Sequence, residues 1–169
     1  MTYETTSELA VIYAMRMDET YKGLFFRKMT DKFMKEMRYL KDETLYKIVW
    51  ALVKSKTVVI ASNSLRWTAI KGVVKERAQE ISPQIMTDLL VLSTMEATES
   101  EADNVKDLFS DVETQLMTKM KVMALDDLIN LLWTALKINR GSPLFYERLE
   151  RELSKRIRGI KDDQYETLL

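Results

Sequence analysis

With 169 residues and a formal net charge of zero, the chain is long enough to bury a core, and its balance gives no sign of a dedicated polyanion binder. It contains no Cys and no His, which excludes a disulfide framework, thiolate or imidazole metal ligands, and every Ser-His-Asp or Cys-His catalytic arrangement. Hydrophobic content of 46%, charge of 31%, four Gly and two Pro predict an ordered, all-helical protein. The longest apolar runs, Ile48–Val53 and Thr57–Ala61, are far too short to span a membrane. The acidic start MTYETTSELA lacks both a signal peptide's apolar segment and a transit peptide's Arg-rich helix, so a chain that is not imported, or a mature or truncated form, is expected.

In chain order, residues 5–16 read as a first helix, capped by Thr6 or Ser7, with Leu9, Ile12 and Tyr13 as its apolar stripe. Residues 24–40 form a second, with Phe25, Phe26, Met29, Phe33 and Met37 inward and Lys28, Lys32 and Lys35 sharing the opposite face. Asp42-Glu43-Thr44 caps a third helix, Leu45–Ser55. Residues 56–63 are β-branched and ambiguous; a lone short strand has nothing to pair with, so they are expected to be a helix end or a buried loop. A fourth helix, Leu65–Glu80, turns Trp67, Ile70, Val73 and Val74 inward. Ser82-Pro83 supplies a cap and a first-turn proline for a fifth helix through Ile85, Leu89, Leu90 and Leu92. The polar stretch 96–103 reads as a loop, and a sixth helix, about 104–121, buries Val105, Leu108, Phe109, Val112, Leu116 and Met120.

Leu125–Arg158 is the best-formed hairpin. Its first helix carries Leu128, Leu131, Leu132, Ala135 and Leu136 on one face, and its second carries Leu144, Phe145, Leu149, Leu153 and Ile157. Gly141 reads as the left-handed terminator between them, with Pro143 starting the second helix. Tyr13, Trp50, Leu90 and Trp133 align as one recurring first-helix position, at intervals of roughly 37 to 43 residues. Leu45/Leu128, Trp50/Trp133 and Lys54/Lys137 share one common offset. The expected architecture is all-α: a right-handed α-solenoid of about four helical hairpins in a single domain, with units at about 5–41, 42–81, 82–123 and 124–160. Residues 161–169 look like the start of a further unit cut short, so the hairpin's outer face is expected to be covered by later residues or by another chain.

LYKIVWALVK and LINLLWTALKINRGSPLFYERLERELSKRI share a Leu-x4-Trp-x3-Lys core, followed in the second case by Leu-x3-Leu. This pattern resembles the roughly 37-residue helical repeats of organellar RNA-associated proteins: the FAST-kinase-like and RAP-domain proteins and the heptatricopeptide and octotricopeptide arrays. The third unit departs from it, with Leu90 at the Trp position. The resemblance implies a non-enzymatic helical-repeat protein associated with organellar RNA, as a component of a mitochondrial ribonucleoprotein such as the ribosome. The alternative is a structural scaffold subunit that touches no RNA. A mitochondrial or other organellar location rests on the resemblance alone.

Charge is uneven. Between Lys22 and Lys41 seven basic residues face Asp31 and Glu36, and between Lys47 and Arg77 seven face only Glu76. The span from Glu80 to Asp127 is acidic. Candidate phosphate contacts are therefore Lys28, Lys32, Lys35, Lys71, Lys75, Arg148, Arg151, Lys155 and Arg158, the last four on one helix face. Glu147, Glu150 and Glu152 among them favour the plainer reading of a salt-bridged, solvated surface. Trp50, Trp67 and Trp133 lie on apolar faces, which predicts core packing over base stacking. The carboxylate pairs Asp42-Glu43, Asp126-Asp127 and Asp162-Asp163 precede apolar helices and suit the helix dipole better than a metal or an acid/base pair. No cofactor, metal or small-molecule substrate is expected; the partners implied are organellar RNA, protein subunits of a large complex, or both.

Overall fold

The computed structural model describes residues 3–16, 39–54 and 63–158. These form seven α-helices: α1 (Tyr3–Arg16), α2 (Asp42–Lys54), α3 (Asn63–Glu76), α4 (Pro83–Glu96), α5 (Ala102–Lys119), α6 (Leu125–Lys137) and α7 (Pro143–Arg158). Short 3-10 turns at Glu99–Glu101 and Met120–Val122 flank α5, and no strand occurs among the described residues. Residues 24–38 of the helix expected at 24–40, residues 56–62 of the ambiguous 56–63 and the segment 161–169 lie outside them.

The helices lie in two rows. In the first, α1, α2, α4 and α6 pack each against the next; in the second, α3, α5 and α7 do the same; α4 touches α5, and α6 touches α7. One apolar core runs between and along the rows, from Ala10 to Leu149. Helices held on both sides are apolar on both sides: α2 buries Leu45, Ile48, Val49, Ala51, Leu52 and Val53.

Several helix boundaries and faces differ from those expected. Helix α1 begins at Tyr3, so Ser7 lies inside it rather than capping it. Its buried stripe is Ser7, Ala10 and Ala14, while Ile12 is exposed. Small side chains bring α1 close to α2, and proximity, not side-chain size, selects the buried face. Helix α3 stops at Glu76, and residues 77–80 form a turn. The stretch 96–103 is shorter as a loop than its polarity suggests. Glu101 is buried, and its Oε2 accepts hydrogen bonds from the backbone N–H and the hydroxyl of Thr98, both at 3.0 Å. Its Oε1 accepts the indole N–H of the fully buried Trp67 at 3.1 Å.

The two Ser-Pro helix starts are built alike. Ser82 Oγ accepts the N–H of Ile85 (3.3 Å), and Ser142 Oγ accepts that of Phe145 (3.2 Å). Each serine N–H donates at 2.8 Å to a carboxylate from earlier in the chain, Asp42 for Ser82 and Glu113 for Ser142. The left-handed terminator of α6 is Asn139 (φ 52°), not Gly141. The bonds Asn139 N–H to Leu136 O (3.1 Å) and Arg140 N–H to Ala135 O (2.9 Å) close a Schellman motif. Gly141 is needed for another reason: at φ 123° a Cβ would sit 2.8 Å from the ring of Tyr146.

Candidate interaction surfaces

Most of the described candidate phosphate contacts are already engaged within the protein. Lys71 Nζ on α3 lies 3.1 Å from Asp107 Oδ2 and 3.4 Å from Asn104 Oδ1 on α5. Lys75 Nζ lies 3.0 Å from Asp111 Oδ1. Both ion pairs span 36 residues, so the basic face of one helix is matched in register to the acidic face of its neighbour. Arg151 pairs with Glu147 (2.7 Å) and Lys155 with Glu152 (2.8 Å) along α7. The Lys155 bond is the main cause holding the half-buried Glu152 carboxyl below its ordinary range. Arg148 and Arg158 are exposed. Arg148 and Arg151 line a cleft of about 230 Å³ with Lys121, Glu152, Met117 and Met120. Lys28, Lys32 and Lys35 lie outside the described residues, so their alignment with the α7 row is not part of the geometry.

A second set of cations, which sequence reading passed over, joins the helices end to end. Arg77, buried just after α3, donates to the carbonyl of Leu40 (2.8 Å) and pairs with Asp42 (3.0 Å). Lys119, closing α5, donates to the carbonyls of Ala78 (3.0 Å), Gln79 (2.9 Å) and Ile81 (2.6 Å). Arg156, near the end of α7, donates to those of Lys121 (3.0 Å) and Met120 (3.5 Å). Each thus reaches carbonyls 35 to 41 residues earlier, where the preceding stretch of chain leaves its last turn. Carbonyls at a helix C-terminus lack intrahelical donors and carry partial negative charge, so a cation satisfies both. Burial, partly offset by Asp42, lowers the pKa of the Lys119 ammonium. The sequence carries this as a basic residue recurring near each second-helix end, a pattern that local sequence does not distinguish from surface charge.

The apolar candidates also divide. Trp67 is core, Trp50 is half-buried, but Trp133 is 42% exposed, against the expectation of core packing. Leu136 (62%) and Ile129 (49%) are exposed on the same helix, and Leu144 and Ile157 on α7, although all but Ile129 were expected to face inward. The reason is position: α6 has a first-row neighbour, α4, on one side only among the described residues. Leu128, Leu131 and Ala135 meet α4 and α7, and the opposite face stays open.

Asp42 and Glu43, and Asp126 and Asp127, occupy the first turns of α2 and α6 rather than preceding them. Asp42 is further committed to Arg77 and Ser82. Asp88, on α4, interacts electrostatically with Tyr46 of α2 and Asp127 of α6. Burial first and Asp127 second raise the pKa of its carboxyl, and burial with Asp88 raises that of the Tyr46 phenol. No group of three or more potential metal ligands occurs among the described residues, and no described helix is long and apolar enough to cross a membrane.

Among the described residues, fold and surface define an all-helical protein with internally matched charges, a small basic cleft on α7 and an exposed apolar row on α6. Comparison of the chain with known family models, curated proteins and solved structures finds no match.

Proposed function

We propose that the chain is a non-enzymatic helical-repeat protein, a right-handed α-solenoid, and that it serves as a structural subunit held by protein contacts within a large assembly. The repeat resemblance makes a mitochondrial ribonucleoprotein, such as the ribosome, the assembly to test first. The recurring cation-to-carbonyl contacts at near-constant sequence interval support the solenoid reading, since stacked units repeat their neighbour contacts. The observation that carries the function is the exposed row Ile129, Trp133 and Leu136 on α6, because contiguous apolar surface on a folded protein marks an interaction site. Direct RNA contact is the second reading. It rests on the cleft where Lys121, Arg148 and Arg151 outnumber Glu152.

Sedimentation of the tagged protein from gently lysed source cells tests the first reading. Migration in a particle far larger than the 19.8 kDa chain is expected, with organelle fractions enriched. Migration as a free chain at low salt would overturn the assembly role.

A further inference from the structure

We propose that the open face of α6 receives one α-helix of a partner protein. That helix runs parallel to α6, is apolar along the contact, and carries a carboxylate in its last turn for Lys137. The proposal rests on the assembly reading above and specifies the contact that it leaves open.

The protein contains its own template for this contact. Helix α2 packs against α4, and the row Tyr46, Trp50 and Lys54 along it is half-buried. Tyr46 feels the charge of Asp88 on α4, the Trp50 ring lies 6.0 Å from the Lys54 ammonium, and Lys54 pairs with Glu96. Lys54 and Glu96 each close their helix, so α2 and α4 run parallel with their ends in register. The offset that aligns Leu45 with Leu128, Trp50 with Trp133 and Lys54 with Lys137 carries this row onto Ile129, Trp133 and Lys137 of α6. Val53, 3% exposed under its neighbours, maps onto Leu136, 62% exposed. The same surface therefore occurs twice, covered once and open once. What covers it in α2 is a parallel helix with apolar side chains and a terminal glutamate. A second copy of this chain stacked head to tail would repeat without closing and grow into an open array, which argues for a different protein as the occupant.

The test places a photo-crosslinking residue, p-benzoyl-phenylalanine, at exposed position 136, and in a second variant at position 133, in the full chain assembled in its source cells. A water-soluble carbodiimide, which joins an amine directly to a carboxylate, probes Lys137 in the same particles. The expected photo-adducts fall on one partner protein, at positions three and four apart along a single helix. The expected Lys137 amide link is to an Asp or Glu in the last turn of that helix. Lys137→Arg should abolish the amide link, because a guanidinium does not couple, while the photo-adducts persist. Adducts within the chain, to a second copy in mixed-isotope samples, to RNA, or scattered over several proteins overturn the proposal. So does the absence of any adduct in particles that still contain the protein, a result that leaves the assembly reading standing. Free sedimentation of the protein would remove both.

Discussion

Lysine and arginine have three different fates here, and sequence position alone does not separate them. Lys71 and Lys75 neutralise acids on the adjoining helix, Arg77, Lys119 and Arg156 cap carbonyls, and Arg148 and Arg158 stay in solvent. Only the last group keeps its charge fully available to a polyanion. Asp88 shows the converse, a carboxylate held where it is poorly solvated. Its folded pKa is raised above the usual 3.8 by burial and by Asp127, so ionisation is less favourable in the folded protein than in the unfolded chain. At a pH below the unfolded value both states hold the proton and the effect vanishes; as pH rises through the unfolded and then the raised folded pKa, stability is lost. Asp88→Asn should therefore stabilise the protein at pH 7, by less than about 1 kcal/mol, and make no difference near pH 3. Urea unfolding at the two pH values reads this; a gain that is equal at both would show that it does not come from the charge.

Between elements, the recurring unit is a helix end clasped by a cation from the next helix in its row. Lys119 joins the end of α5 to three carbonyls after α3, and without it those carbonyls would lose a charged donor. Lys119→Met keeps the apolar stem and removes the bonds. It should cost about 2 kcal/mol, seen as a lower urea midpoint with an unchanged slope. The exposed neighbour Lys121 offers a control, and Lys121→Met should stay within about 0.5 kcal/mol of the parent. Equal effects would mean that the Lys119 contacts contribute nothing to the joint. Capping residues also decide where elements begin. Ser82 and Ser142 start helices that pack one row apart, and each is anchored by a carboxylate from an earlier hairpin.

Over the whole molecule, charge is balanced by internal pairing as well as by number. Equal counts of 26 acidic and 26 basic residues leave no net field to draw in a polyanion, and Lys71 and Lys75 are paired on the surface with acids of the adjoining helix. Fluorescence anisotropy with a labelled single-stranded RNA should accordingly show no saturable binding up to about 10 μM protein at 50 mM salt, the condition most favourable to phosphate contacts. Saturable binding that weakens with added salt and is lost in Arg148→Glu would move the balance to the RNA reading. Among the described residues, the helices that end the rows supply the remaining apolar surface. A helix sandwiched in its row, such as α2 or α4, has no free apolar face, and α6 has one.

The helical class, the Ser82-Pro83 start and the inward faces of α3 and α5 were legible in the sequence, because a 3.6-residue apolar period and a cap followed by proline are local signals. The buried stripe of α1 was not: Ala10 and Ala14 carry little hydrophobic signal, and only the approach of α2 decides that they are inside and Ile12 outside. The same holds for Leu136, Leu144 and Ile157, whose periodicity marks them as apolar without saying whether a neighbour exists. The carbonyl-capping cations were equally hidden, since a charge close to a helix end looks alike whether it meets water or the end of another helix. Which residues can share a helix face follows from local periodicity. Tertiary structure alone decided which faces are covered, because burial depends on contacts between residues roughly forty positions apart, which no local period encodes.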